Sequence, residues 1–533
     1  MQRESKSPVV RRALVCAAAL FVTAAPIPAG AQVTAFKQSV AETLGESDAI
    51  AAFYRARKFE PLWTGPDDVH RARREAFLEA IGMAGAHGLP AGRYDASALM
   101  AEMRAARNPR DRGALDVKLS RTYAQFARDL QNGALDPSRI DAGLKREILY
   151  RDPQELLTRL ENEDPRAVFR TLAPQSREYV RLMHEKMKME KVIARGGYGA
   201  SVPGGKIEAG ESGELVVALR DRLIAMGYLR PTALASYTDE MRQALEAFQA
   251  DNGLKVDGVF GPSTREALNV SATGRLQQIL VAMERERWLN RPEGLGPRHI
   301  KVNLTEYTAR IYDGETVTFE TRAVIGSTDS DRRTPEFSDE MTHMVVNPAW
   351  YIPRSIIKNE YLPKLRQNPY ALGHLEIIDR SGRVVSRSRG FGSDFPYSMR
   401  QPPGPDNALG KVKFMFPNKY AIYLHDTPAK HLFDRDRRAY SHGCIRLGDP
   451  FGMAHALLAP QTDDPDGFFQ SKLGSRSEAR VNLDTPVPVH LIYRTAFTLP
   501  KGRVQFREDI YGRDARIWAE LERAGVALAA GES

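Results

Sequence analysis

The chain has 533 residues, 42% of them hydrophobic, and a formal charge of +9. That length predicts two to four domains with real cores, and interspersed acidic and basic residues argue against a nucleic-acid surface. Only two cysteines occur, Cys16 and Cys444; once Cys16 departs with a leader, no internal disulfide or cysteine-only metal cluster can form.

Residues 1–31 read as a secretory leader. Arg3, Lys6, Arg11 and Arg12 make a basic start, residues 13–25 an apolar run, and Ala29-Gly30-Ala31 a small-residue cleavage site. The run is too short and alanine-rich for a membrane span, so only an uncleaved leader would act as an anchor, and Cys16 lies too early in it for a lipidated amino terminus. Cleavage removes four basic residues and one acidic one, which lowers +9 to +6. In an oxidising compartment a free thiol risks oxidation, so the retention of Cys444 points to use.

Residues 32–195 carry helical spacing, with apolar residues three and four apart over 76–84 and 119–130. His87-Gly88-Leu89-Pro90 and Asn132-Gly133-Ala134-Leu135-Asp136-Pro137 punctuate these helices, and no catalytic constellation appears, so this region reads as a scaffold. Residues 196–212 contain Gly196-Gly197, Pro203-Gly204-Gly205 and Gly210 and read as a linker.

Residues 213–272 predict three helices. The first is built on Leu215, Leu219 and Leu223 and closed by Gly227, and the second on Leu245, Phe248 and Gln249 and closed near Gly253. Gly261-Pro262 opens the third, where Ala267 and Leu268 supply apolar contacts. Leu219, Gly227-Tyr228, Phe248-Gln249, Gly253-Leu254, Asp257-Gly258, Gly261 and Thr264 together make the segment resemble the three-helix peptidoglycan-binding domain. The alternative is a helical packing module without a ligand. A connecting helix is expected over 273–298.

From 299 to 495 the texture alternates: Ile300, Val302 and Leu304, then Tyr307, Ala309 and Ile311, then Val317, Phe319 and Thr321. Asp313-Gly314 is a hairpin signal, so an antiparallel sheet is expected to open this domain. Residues 353–403 interrupt it with a helical stretch, a turn at 379–382 and a glycine- and proline-rich run, an insertion that reads as a lid or binding loop. Residues 496–533 form a C-terminal segment.

The chemistry lies between His425 and Arg446. Residues 421–425 predict a strand that sends Tyr423 and His425 to one face and Ile422 and Leu424 to the other. Cys444 follows His425 by 19 residues in Ser441-His442-Gly443-Cys444-Ile445-Arg446, far enough for a loop to return thiol to imidazole. A cysteine thiol ionises near ~8.5, and a neighbouring imidazole can lower that value and relay protons during attack. Gly443 suits an oxyanion site, and Asp449-Pro450 caps a helix just beyond.

His425-Asp426-Thr427-Pro428 followed by Ser441-His442-Gly443-Cys444-Ile445-Arg446 resembles the active-site signature of the L,D-transpeptidases with a YkuD-type catalytic domain. Asn347-Pro348-Ala349-Trp350-Tyr351-Ile352-Pro353, Arg333-Thr334-Pro335, Asn407-Ala408-Leu409-Gly410 and Asp509-Ile510-Tyr511-Gly512 are similar to the large, YcbB-like branch. The resemblance implies a multidomain α+β chain of helical scaffold, peptidoglycan-binding module and β-rich catalytic domain with a capping insertion. It implies Cys444 as nucleophile and His425 as general base and acid, with Tyr423, Ser441, His442, Gly443 and Arg446 in support and Trp350 lining the cleft. It also implies a periplasmic enzyme, peptidoglycan stem peptides as substrate, other cell-wall synthesis proteins as possible partners, and neither metal nor cofactor. The same site could release its acyl group to water or to an envelope protein. Two further readings compete: a zinc hydrolase, since His425, Asp426, His442 and Cys444 are all metal-ligand types, and a non-catalytic wall-binding protein.

Overall fold

A computed structural model describes residues 34–528 apart from 46, 47, 209, 393 and 501. The leader, its cleavage site and Cys16 lie outside the described residues. Among those described, no helix is long and apolar enough to cross a membrane.

The longest scaffold helix, Pro109–Asn132, starts where the Asn108 side chain accepts from Asp111 N at 2.9 Å and proline fills the first turn. Leu115, Leu119, Tyr123, Phe126 and Leu130 recur along one buried face and pack against Phe77, Trp63 and Phe169. Three helices follow in the next module, Glu214–Ala225, Asp239–Asp251 and Pro262–Leu268. Val216 joins Leu219 and Leu223 in its core, with the expected Leu215 packed half-buried against them. Gln249 is buried there. Its amide nitrogen donates to Asp257 Oδ1 (3.0 Å) and Val259 O (3.1 Å), and its oxygen accepts from Asp257 N and Gly258 N, so it ties the module together.

Helix Ala272–Trp288 is the hub, buried around nearly its whole circumference. Its run Glu284-Arg285-Glu286-Arg287 buries four consecutive charges, and each meets a group of another element, Arg287 through the carbonyl of His87. Arg287 pairs with Glu284 at 2.6 Å, and Glu284 also accepts from scaffold Leu135 N. Arg285 pairs with Asp514 (2.6 Å) and Glu336 (3.4 Å), and Glu286 with Arg494 (2.5 Å). A buried charge stripped of its partner is costly, about 3–5 kcal/mol. Arg285→Met, which strips Asp514 of its cationic partner and leaves Glu336 with Arg513 alone, is therefore expected to lower the thermal midpoint far more than Arg242→Met at an exposed helical pair; equal midpoints would refute this.

The strands are β1 (Arg298–Asn303), β2 (Thr308–Asp313), β3 (Thr316–Gly326), β4 (Phe337–Val346), β5 (Trp350–Tyr351), β6 (Glu376–Ile378), β7 (Ser398–Gln401), β8 (Val412–Met415), β9 (Leu424–His425), β10 (Ala439–Ser441), β11 (Ile445–Leu447), β12 (Ala479–Ile492), β13 (Ala496–Thr498) and β14 (Val504–Phe506). The main sheet runs β10-β3-β11-β9-β8-β4-β12-β1-β2, and β2 returns to pair with β3, so it closes on itself around an apolar core. The predicted hairpin at Asp313-Gly314 joins β2 to β3, with Gly314 at φ +59°. Strand β9 is shorter than the expected 421–425 because Ala421 adopts φ +56° and the Asn418 side chain ties residues 416–422 into a turn.

The insertion forms a small body of its own. Strands β5, β7 and β6 make a sheet backed by Ile357, Leu365, Ile377, Phe395 and Met399. The C-terminal hairpin β13–β14 and helix Arg513–Arg523 pack on the hub helix.

Candidate active site

Strands β9 and β11 lie side by side and parallel, with Leu424 opposite Ile445 and His425 opposite Arg446. That register sets Cys444, one residue before β11, beside Tyr423. Cys444 is the free cysteine among the described residues, and its thiol reaches Ala421 O at 3.6 Å. The Tyr423 hydroxyl donates to the sulfur and in turn accepts from the Trp350 side chain. Trp350, on the first strand of the cap, is thus linked through Tyr423 to the nucleophile.

The Tyr423 and His425 rings stand edge to face with centroids 5.7 Å apart, as the alternation predicts, while Leu424 is fully buried in the core. His425 Nδ1 donates to Asp426 O at 2.5 Å, which leaves Nε2 as the basic nitrogen. His425 is almost fully buried between Arg446 and Lys413. Burial, together with the cations Arg446, Lys413 and Lys430, pushes its pKa down to about 3.

The thiol behaves oppositely to the sequence expectation. Burial pushes Cys444 up to about 11, with Tyr423 hydrogen bonds and Arg446 only partly offsetting it. In this arrangement the thiol's hydrogen-bond partners are Ala421 and Tyr423, and His425 is not among them. The resting pair is a neutral thiol and a neutral imidazole. Desolvation outweighs both the Tyr423 hydrogen bonds and the charge of Arg446, the smallest of these influences on the sulfur.

The loop before the nucleophile is tied down residue by residue. Ser441 Oγ accepts from Gly443 N (3.1 Å) and donates to Cys444 O (2.5 Å). Gly443 sits at φ +112°, a conformation that favours glycine. His442 is exposed and its Nε2 meets Glu360 Oε1 at 2.8 Å. Glu360 belongs to the π-helical turn Ile357–Tyr361 of the cap and also accepts from Arg332 at 2.9 Å; such turns are frequent at functional sites. Sequence reasoning missed Glu360, which lies 82 residues from His442.

Asp426 holds Thr427 N (2.7 Å), Lys411 N (2.8 Å) and Lys430 Nζ (2.7 Å). With Asp426 and His442 so engaged, the four metal-ligand types of the motif do not converge; among the described residues no three His, Cys, Asp or Glu side chains do. Arg446 differs from its neighbours. Among the described residues its guanidinium carries no salt bridge and its buried Nε no hydrogen-bond partner, and its charge acts on both Cys444 and His425.

Comparison with known proteins matches residues 297–487 to the L,D-transpeptidase catalytic domain, 48–185 to a scaffold domain and 212–268 to a peptidoglycan binding domain. A Haemophilus influenzae protein named "Putative L,D-transpeptidase" is 34% identical over 228 residues, 41% of this chain and 45% of that protein. The N-acetylmuramoyl-L-alanine amidase CwlL of Bacillus licheniformis is 45% identical over 64 residues, 12% of this chain and 18% of its own. The match therefore spans less than half the length of each of these relatives. Among solved structures, an L,D-transpeptidase from Stackebrandtia nassauensis aligns at 13% identity over 55% of this chain and 97% of its own, with a TM-score of 0.20.

Proposed function

We propose that this chain, which carries an L,D-transpeptidase catalytic domain together with scaffold and peptidoglycan-binding domains, is an exported, cysteine-dependent acyltransferase of peptidoglycan stem peptides. The observation that carries this reading is the free thiol of Cys444 set beside the guanidinium of Arg446, which has no salt bridge among the described residues, under a capping segment. A desolvated cation without a carboxylate partner is a ready anchor for an anionic substrate, and a donor stem ends in the D-alanine carboxylate.

In the first step the thiol rotates off Tyr423 and its sulfur attacks the carbonyl that precedes the terminal D-alanine of a tetrapeptide stem. The thiol proton passes to His425 Nε2, and the carbonyl oxygen takes up the electron pair of its π bond. As the tetrahedral adduct collapses, the C–N bond breaks and His425 returns the proton to the departing D-alanine amine, leaving a thioester. A diaminopimelate side-chain amine then attacks that carbonyl and gives its proton to His425. The C–S bond breaks, and the thiol is reformed as the 3-3 crosslink appears. Trp350 steadies Tyr423 and lines the cleft, and the peptidoglycan-binding module keeps the chain on its polymeric substrate. Export through the 1–31 leader places the enzyme in the periplasm, where this polymer lies.

Incubation of the purified protein with tetrapeptide-bearing disaccharides, followed by mass analysis, tests the reading. Crosslinked dimer lacking one D-alanine is the expected product. Tripeptide alone would convert the assignment to an L,D-carboxypeptidase, and no change in substrate would leave a wall-binding protein.

The cap favours the amine over water by covering the thioester. Glu360→Ala removes the carboxylate shared by His442 and Arg332, two partly exposed pairs together worth about 1 kcal/mol. The ratio of transfer to hydrolysis is expected to fall about fivefold with the fold intact; an unchanged ratio would show that this contact does not hold the cap closed.

A further inference from the structure

We propose that Thr334 is a positioning residue that orients the Gly443–Cys444 peptide so that the Cys444 N–H is presented to the oxyanion of the reaction; this rests on the acyl-transfer reading above. Thr334 is fully buried in the loop between β3 and β4, 109 residues from Gly443. Its hydroxyl accepts from Gly326 N at 2.9 Å and gives its single proton to Gly443 O at 2.7 Å, a carbonyl that can only accept. The direction of this hydrogen bond is therefore set by the protein.

The backbone of Thr334 is itself clamped from the C-terminal segment. Its N–H donates to the Tyr511 hydroxyl (3.3 Å), its carbonyl accepts from Arg513 Nη2 (2.9 Å), and the Tyr511 hydroxyl donates to Gly326 O (2.6 Å). Gly326 leaves no room for drift: a Cβ there would lie 2.1 Å from Arg332 O and 2.7 Å from Thr334 N. The Arg333-Thr334-Pro335 and Asp509-Ile510-Tyr511-Gly512 motifs, far apart in sequence, thus form one buttress under the nucleophile loop.

The consequence falls on a single N–H. Gly443 N is occupied by Ser441 Oγ, whereas Cys444 N has no hydrogen-bond partner among the described residues. A trans peptide holds its C=O and N–H on opposite sides. With Gly443 O drawn to Thr334, the Cys444 N–H faces away from the buttress, already oriented before substrate arrives. A preorganised donor of this kind is worth about 10²- to 10³-fold in rate.

The test compares two reactions of Cys444 in the full chain. Acylation by a carbapenem opens a carbonyl and develops an oxyanion; alkylation by iodoacetamide displaces iodide and develops none. Thr334→Val keeps the shape and removes the hydroxyl. The expected result is acylation slowed about 10²-fold, alkylation within twofold of the unsubstituted protein, and near-complete rescue in Thr334→Ser. Acylation by Thr334→Val at the unsubstituted rate, or equal losses in both reactions, would overturn the proposal. Failure of the unsubstituted protein to be acylated at Cys444 would instead sink the acyl-transfer reading. Should Thr334→Val not fold, Tyr511→Phe carries the same split at about tenfold, and its absence there counts equally against the role.

Discussion

Cys444→Ala is expected to abolish crosslinked product and covalent labelling by a carbapenem together, with a loss of at least about 10⁴-fold in rate. The size follows from chemistry. Without a nucleophile, the enzyme retains only binding and oxyanion stabilisation, and no second cysteine among the described residues could take over. Cys444 packs at the margin of the barrel core, and its side chain holds only the weak thiol contact with Ala421 and the Tyr423 hydrogen bonds. Its truncation is therefore expected to leave the melting temperature nearly unchanged, which separates chemistry from stability. Intact-protein mass spectrometry checks this directly; a carbapenem adduct persisting on Cys444→Ala would place the nucleophile elsewhere.

The second large effect is at His425. Glutamine there keeps a donor toward Asp426 O but supplies no base, and loss of general-base catalysis costs about 10²- to 10⁴-fold. The pH profile discriminates more sharply than the rate. His425, held down to about 3, stays neutral above that value, and Cys444, pushed up to about 11, stays protonated below it. The reactive pair therefore keeps one protonation state from pH 5 to pH 9, and acylation of the unsubstituted protein is expected to be flat across that range. In His425→Gln only the pre-formed thiolate can attack. Its fraction rises about tenfold per pH unit below the thiol pKa, so the variant's rate should climb steeply from pH 7 to 9. An acid limb near pH 6.5 in the unsubstituted protein, or a flat profile in the variant, would contradict these assignments.

Much of the architecture could be read before any fold was seen, wherever information is local. Helical spacing located Pro109–Asn132 and the three helices of the peptidoglycan-binding module, and Asp313-Gly314 marked the turn from β2 to β3. Period-two alternation put Tyr423 and His425 on one face. Local patterns misjudge a strand when one residue leaves extended geometry, and Ala421 did so by taking a left-handed conformation. They also misjudge a thiol's acidity, because a motif does not state how much solvent is removed from the sulfur.

The sequence by itself determined the order of the three domains, the place of the lone thiol beyond residue 31 and its motif, and the faces of the strand that carries the histidine. Each is written in spacings of a few residues. Tertiary structure alone decided which contacts surround that thiol, Trp350 on Tyr423, Glu360 on His442 and Thr334 on Gly443, and which partners in other elements receive the buried charges of Glu284 to Arg287. These pairs join residues tens to hundreds of positions apart. Their free energy comes from desolvation and hydrogen-bond geometry that arise only when the closed sheet, the cap and the C-terminal segment pack together, so no periodicity along the chain records them.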